Sequence, residues 1–223
     1  MFQILANVLT SLNIFCGFYS MILAIKDEFM KSAWLVIICV VLDMLDGKIA
    51  RLAKTSSDFG KEFDSLADII SFGIAPISLF YALTISLDVP LRIIILFLYL
   101  LAGAYRLARF NLYARQKQET HFLGLPITGS GGFFASFLLL LAKGKIILKP
   151  IVFLIIALVL AILMISKIKY PNFRNLKLWE ALTISGIIII AFLIWPHTTL
   201  CSVFSVYLVF GPLIYKYLLQ NRV

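Results

Sequence analysis

Charge is scarce in this chain: only 14% of its 223 residues are Asp, Glu, Lys or Arg. Soluble domains carry roughly a quarter. With 62% of residues hydrophobic and a mean hydropathy of +1.02, that scarcity excludes water as the main solvent. Cysteine is scarcer still. Cys16, Cys39 and Cys201 are odd in number, widely spaced and all inside apolar stretches, so neither a disulfide framework nor a cysteine zinc site is expected. They read as core packing. The two histidines, His121 and His197, each stand alone near the end of an apolar run and suggest an interfacial role. Repeats, low-complexity tracts and a soluble domain are missing. A cleavable leader is not expected either, because Asn7, Thr10, Ser11 and Asn13 interrupt the first apolar stretch, so this helix should remain in the mature protein.

What is present is a series of apolar runs, each near the roughly 20 residues that cross a hydrocarbon core. Runs and breakers predict spans near 5–25, 32–54, 61–86, 91–113, 127–143, 147–166, 178–195 and 199–219. The fold class is therefore all-α, a polytopic membrane helical bundle. The net charge of +9 would suggest nucleic acid in a soluble protein. Here basic loops facing anionic lipid headgroups explain it, and no nucleic-acid partner is expected. Fourteen basic residues lie on the side of the chain termini and six on the other (Lys26, Lys31, Arg92, Lys143, Lys145, Lys149). That bias predicts cytoplasmic N- and C-termini.

One region breaks the membrane pattern. Asp43, Asp46, Asp64 and Asp68 fall in or near the second and third apolar runs, where an ionised carboxylate is costly unless paired or solvated. On a helix, Asp43 and Asp46 lie about 60° apart and Asp64 and Asp68 about 40° apart, so each pair forms one facing cluster. Four carboxylates on neighbouring helices repel one another. Lys48 and Arg51 could neutralise them as buried ion pairs. Hard divalent cations are the other remedy: all-oxygen ligands suit Mg²⁺ or Mn²⁺, which also bind substrate phosphates. Gly47, Ala50 and Gly60 leave room beside the aspartates for a substrate. Arg51, Lys54 and Lys61 surround the mouth and could hold a diphosphate.

The pattern Asp43-x-x-Asp46-Gly47-x-x-Ala50-Arg51, eight residues, Gly60-x-x-x-Asp64-x-x-x-Asp68 resembles the signature of the CDP-alcohol phosphatidyltransferase family without gap or substitution. The resemblance implies a six-helix core over 1–170 that usually dimerises, leaving a helical pair over 171–223. It implies a two-metal site open to the cytoplasm and exchange of CMP for an alcohol on a CDP-linked lipid. Carried over by position, Asp43, Asp46, Asp64 and Asp68 would ligate metal and Asp68 would also be the general base. Gly47, Ala50, Arg51, Gly60 and Lys61 would line the CDP-lipid pocket. Asn7 and Thr10 resemble the family's N-terminal polar pair near the nucleotide.

Three further stretches resemble the phosphatidylserine synthase branch: Phe63 to Pro76, Tyr105-Arg106-Leu107-Ala108-Arg109-Phe110-Asn111, and Phe122-Leu123-Gly124-Leu125-Pro126. The glycerolphosphate branch usually has proline after the third aspartate and lysine after the fourth, where Ser65 and Ile69 stand here. The resemblance thus implies CDP-diacylglycerol and L-serine as substrates, with Arg106 and Arg109 able to pair with a serine carboxylate or a phosphate. Glycerol-3-phosphate or inositol (phosphate) is the alternative acceptor. A cation transporter could also bury carboxylates, but would spread them along a path or between inverted repeats, and neither is seen.

Overall fold

The computed structural model describes residues 2–52, 58–114, 121–171, 186 and 190–220. It is a bundle of membrane helices. In chain order they are α1 (Phe2–Ile25), α2 (Phe29–Leu52), α3 (Asp58–Asp68), a π-helical segment (Ile69–Ile74), α4 (Ala75–Leu83), α5 (Val89–Ala114), α6 (Ile127–Lys143), α7 (Pro150–Ile165) and α8 (Pro196–Gln220). Three stretches are long and apolar enough to cross a bilayer: Ile4–Ile25, Asp58–Leu83 and Val89–Leu112. Ile127–Lys143 and Pro150–Ile165 are shorter apolar helices. The expected span 178–195 lies largely outside the described residues, whereas 199–219 corresponds to α8.

The helices are apolar outside, and their core combines large apolar side chains such as Phe72, Phe80 and Phe134 with small and polar ones. Large side chains such as Phe15 and Phe18 on α1, and Ile94 and Phe97 on α5, stand exposed, as lipid-facing residues do. Some inward positions carry Ala, Gly and Ser, which let backbones approach. A Cβ at Gly17 would stand 2.6 Å from the Ser71 hydroxyl, so only glycine lets α1 rest on the π-helical segment there. Antiparallel α1 and α2 pack along most of their length. At the turn joining them Asp27 has φ 60°. Near that turn the Ser20 hydroxyl donates to the Ser32 carbonyl (3.0 Å) and the Ser32 hydroxyl to the Ser20 carbonyl (2.8 Å).

The π-helical segment sits at the centre of the bundle, directly after Asp68. Its cause is partly legible in Pro76, which has no N–H to offer the carbonyl four residues back, that of Phe72. Ala75 N–H bonds instead to the Ile70 carbonyl, five residues back. The Phe72 carbonyl accepts from the Tyr99 hydroxyl of α5 at 3.1 Å, and Tyr99 also meets the Ser130 hydroxyl of α6 at 3.0 Å. All three residues are buried.

Sequence patterning did not foresee a two-stranded ribbon. Strand β1 (His121–Leu123) pairs antiparallel with β2 (Lys169–Pro171), placing Phe122 opposite Tyr170. With three residues per strand, the ribbon leaves the all-α class unchanged. Gly124 closes it at φ 76°, where a Cβ would run into the Met164 carbonyl oxygen, so no side chain could stand there. Helix α8 lies against α6 and the ribbon. Phe204 packs on Gly132, and a Cβ at Gly211 would stand 2.8 Å from the Tyr170 ring.

Candidate active site

The C-terminal half of α2 supplies Asp43 and Asp46, and α3 supplies Asp64 and Asp68. Packed against α1, the two helices bring one carboxylate oxygen each from Asp43, Asp64 and Asp68 within 4.8 Å of one another. Asp68 is buried, and Asp43 and Asp64 are half-buried. Two buried oxygens in this group, Oδ1 of Asp64 and Oδ1 of Asp68, have no hydrogen-bond partner among the described residues. Buried carboxylate oxygens are rarely left so. A converging all-oxygen donor set with open lone pairs fits a hard divalent cation.

Asp46 stands apart from this triplet. It is 3% exposed, and its Oδ2 accepts from the Thr10 hydroxyl of α1 at 3.0 Å. Thr10 Oγ1 is also 3.0 Å from the Ala6 carbonyl, so this hydroxyl is committed within the protein. Asn7 lies one turn earlier on α1 and is half-buried, as are Gly47 and Gly60. Lys61 is exposed and 3.4 Å from Asp58. The side chains of Ala50 and Arg51, and all of Lys54, lie outside the described residues.

The two arginines of α5 have different surroundings. Arg106 is buried and interacts electrostatically with Asp68, Tyr207 and Asp43, with its guanidinium 5.2 Å from the Phe110 ring centre. Arg109 instead donates to backbone carbonyls: Nη2 to Leu123 (2.7 Å), Ser166 (3.2 Å) and Met164 (3.3 Å), and Nη1 to Ile165 (3.0 Å). Three of these carbonyls belong to the C-terminal end of α7, where the helix has no amide left to satisfy them and a cation is favoured. Arg109 therefore ties α5 to α7 and the ribbon through its Nη groups.

Two further groups support the cluster. Asn111 Nδ2 donates to the Ser65 hydroxyl at 3.0 Å and reaches Glu62 at 3.5 Å, linking the end of α5 to the aspartate helix. Asn13 on α1 is fully buried, and its carbonyl accepts from the Ser71 hydroxyl at 3.0 Å. In the sequence Asn111 closed the Tyr105–Asn111 motif, whereas Asn13 was visible only as a polar residue in the first apolar run. Tyr207 of α8 lies against Gly129 and near Arg106, and nothing in the local sequence pointed to it.

A family model described as CDP-alcohol phosphatidyltransferase matches residues 3–166, which include every aspartate of the cluster. The chain belongs to the CDP-alcohol phosphatidyltransferase family. It is thus an enzyme, a membrane-embedded transferase. Among curated relatives, the CDP-diacylglycerol–serine O-phosphatidyltransferase of Helicobacter pylori is 34% identical over 96% of this chain and 91% of that protein. The Methanocaldococcus jannaschii protein of the same name is 33% identical over 91% of each. The archaetidylserine synthase of Methanothermobacter thermautotrophicus is 35% identical over 77% of this phosphatidyltransferase and 71% of its own length.

Proposed function

We propose that this phosphatidyltransferase is a phosphatidylserine synthase, moving the phosphatidyl group of CDP-diacylglycerol to the hydroxyl of L-serine and releasing CMP. The observation that carries the mechanism is the convergence of Asp43, Asp64 and Asp68 with open, buried oxygens. The names of the relatives support the acceptor. The match of the family model to 3–166 supports a catalytic core over 1–170, with 171–223 as an accessory helical pair.

Asp43, Asp64 and Asp68, with Asp46 beside them, would hold two Mg²⁺ or Mn²⁺ ions. When bound, these cations neutralise the carboxylates and polarise the phosphoryl oxygens. Gly47 and Gly60 keep the mouth open for the diphosphate, and Lys61, Arg51 and Asn7 are its polar surroundings. Thr10 acts indirectly by holding Asp46. The serine hydroxyl oxygen bonds to the lipid-bearing phosphorus as the bond from that phosphorus to the CMP oxygen breaks. Asp68 accepts the hydroxyl proton, and CMP carries away the bonding pair. Arg106, whose charge is felt at Asp68, is the cation placed for a phosphate or the serine carboxylate. The excess of basic residues on one side supports cytoplasmic termini and a site open to the cytoplasm, and the family resemblance supports a homodimer.

The test is CMP release by purified protein from CDP-diacylglycerol and Mn²⁺ or Mg²⁺, with serine, glycerol-3-phosphate, inositol or inositol phosphate offered separately. Serine-dependent release with a phosphatidylserine product is expected. Release with another alcohol alone overturns the serine assignment and keeps the aspartate roles. Metal-dependent ion flux in liposomes without CDP-lipid would favour a transporter instead.

A further inference from the structure

Divalent cations account for the open carboxylate oxygens, but not for Asn13. Its side chain is fully buried, and neither Nδ2 nor Oδ1 has a hydrogen-bond partner among the described residues. An unsatisfied buried amide costs about 1–3 kcal/mol, so a group left open on both atoms calls for a ligand. Its place is set by its own backbone. The Asn13 carbonyl accepts from the Ser71 hydroxyl at 3.0 Å and lies 3.5 Å from Cys39 Sγ. Ser71 is three residues beyond Asp68, and Cys39 is one helical turn before Asp43. Helical side chains lean back toward the N-terminus. The Asn13 amide therefore leans from that level toward the turn of Thr10, whose hydroxyl meets Asp46. That is the inner end of the aspartate cluster, on the membrane side.

We infer that Asn13 binds the acceptor alcohol and helps to select it, reading a small head group that carries both hydrogen-bond donors and acceptors, as a zwitterionic amino acid does. The inference rests on the function proposed above, in which the donor diphosphate lies at the mouth beside Gly47, Gly60 and Lys61. Attacking and leaving oxygens stand roughly in line across the phosphorus. With CMP leaving toward the mouth, the acceptor must approach from the inner side, where Asn13 stands. The amide offers two N–H donors to a carboxylate or hydroxyl oxygen and one carbonyl to an ammonium or hydroxyl proton. Being neutral, it adds no charge to four aspartates. Thr10 cannot serve in its place, because its hydroxyl is already bonded.

The experiment is steady-state CMP release by the full-length chain in detergent micelles, comparing wild type with Asn13→Ala and Asn13→Leu. KM is measured separately for serine, CDP-diacylglycerol and Mn²⁺. Expected is a rise of about tenfold or more in the serine KM, with the other two within about twofold, since lost polar contacts to a substrate act on that substrate alone. Equal shifts in all three, or none, overturn the inference. Because either variant could lower the folded fraction, the ratio of kcat/KM for serine to that for ethanolamine, which lacks the carboxylate, is taken within each preparation. This ratio is independent of how much enzyme is active; a fall of about tenfold supports acceptor reading, and an unchanged ratio overturns it. If wild type uses a different alcohol, the serine reading fails alone, and the same comparison of acceptor KM against donor KM decides the role of Asn13.

Discussion

The interface between α1 and α2 has two ends, and they treat polar groups in opposite ways. At the turn end, Ser20 and Ser32 bond to each other's carbonyls and their hydroxyls lie 2.9 Å apart. At the other end, Asn13 of α1 and, on the adjoining α3, Asp64 and Asp68 present buried atoms with no hydrogen-bond partner among the described residues. Asn13 and both serines lie on the same pair of apolar helices, so hydropathy does not separate them. The difference is satisfaction: a closed ring of hydrogen bonds glues helices, whereas open donors and acceptors await a ligand. Polar residues in a membrane bundle thus divide into structural and functional sets by what their neighbours leave open.

The sharpest way to break the comparison is at the open end. Asp68→Asn keeps the shape but removes the proton acceptor, and turnover should fall by about 10²–10⁴-fold. CDP binding, measured by calorimetry, should weaken less in this variant than in Asp43→Asn; equal loss of both functions in the two would deny them separate roles.

Arg109 extends the comparison to a charged residue whose two Nη groups are bonded to backbone carbonyls. Arg109→Lys cannot reproduce a fork that reaches four carbonyls. Thermal unfolding should report a loss of about 1.5–3 kcal/mol, with the serine KM of the folded enzyme unchanged. A selective rise in serine KM would move Arg109 into the open set.

Tyr99→Phe removes the hydroxyl that meets the Phe72 carbonyl. A loss of about 1 kcal/mol is expected, accompanied by a fall in kcat, because the π-helical segment begins at the residue after Asp68. Stability loss with unchanged kcat would show that the segment is only a packing device.

The smallest effect belongs to the closed end. Ser20→Ala should cost about 0.6 kcal/mol, the average for a hydrogen bond between membrane helices, and leave activity per folded molecule intact. Any change in metal dependence there would erase the distinction between the two ends.

Much of this was legible in the chain itself. Span 127–143 coincides with α6 because Pro126 before it and Gly144 after it punctuate the run, although its first turns carry Thr128, Gly129, Ser130, Gly131 and Gly132. The aspartate spacing placed each pair on one helix face, since that depends only on the helical period. The π-helical segment was not legible: Pro76 explains a missing donor, but the substitute comes from Tyr99, 27 residues along the chain from Phe72. The ribbon escaped notice because three-residue strands carry no usable alternation. Arg106 and Arg109 share a motif and a helix, and only their neighbours separate their roles.

Composition and local period therefore determined the solvent, the helices and the carboxylate pairs, because each is a property of one segment in its environment. Only the tertiary structure decided which polar atoms were closed and which stayed open. Asn13 and Ser20 lie on the same helix, one with both amide atoms unpartnered among the described residues and the other facing a serine that satisfies it. A hydrogen bond needs its partner within about 3 Å, and for residues on different helices that proximity comes from packing.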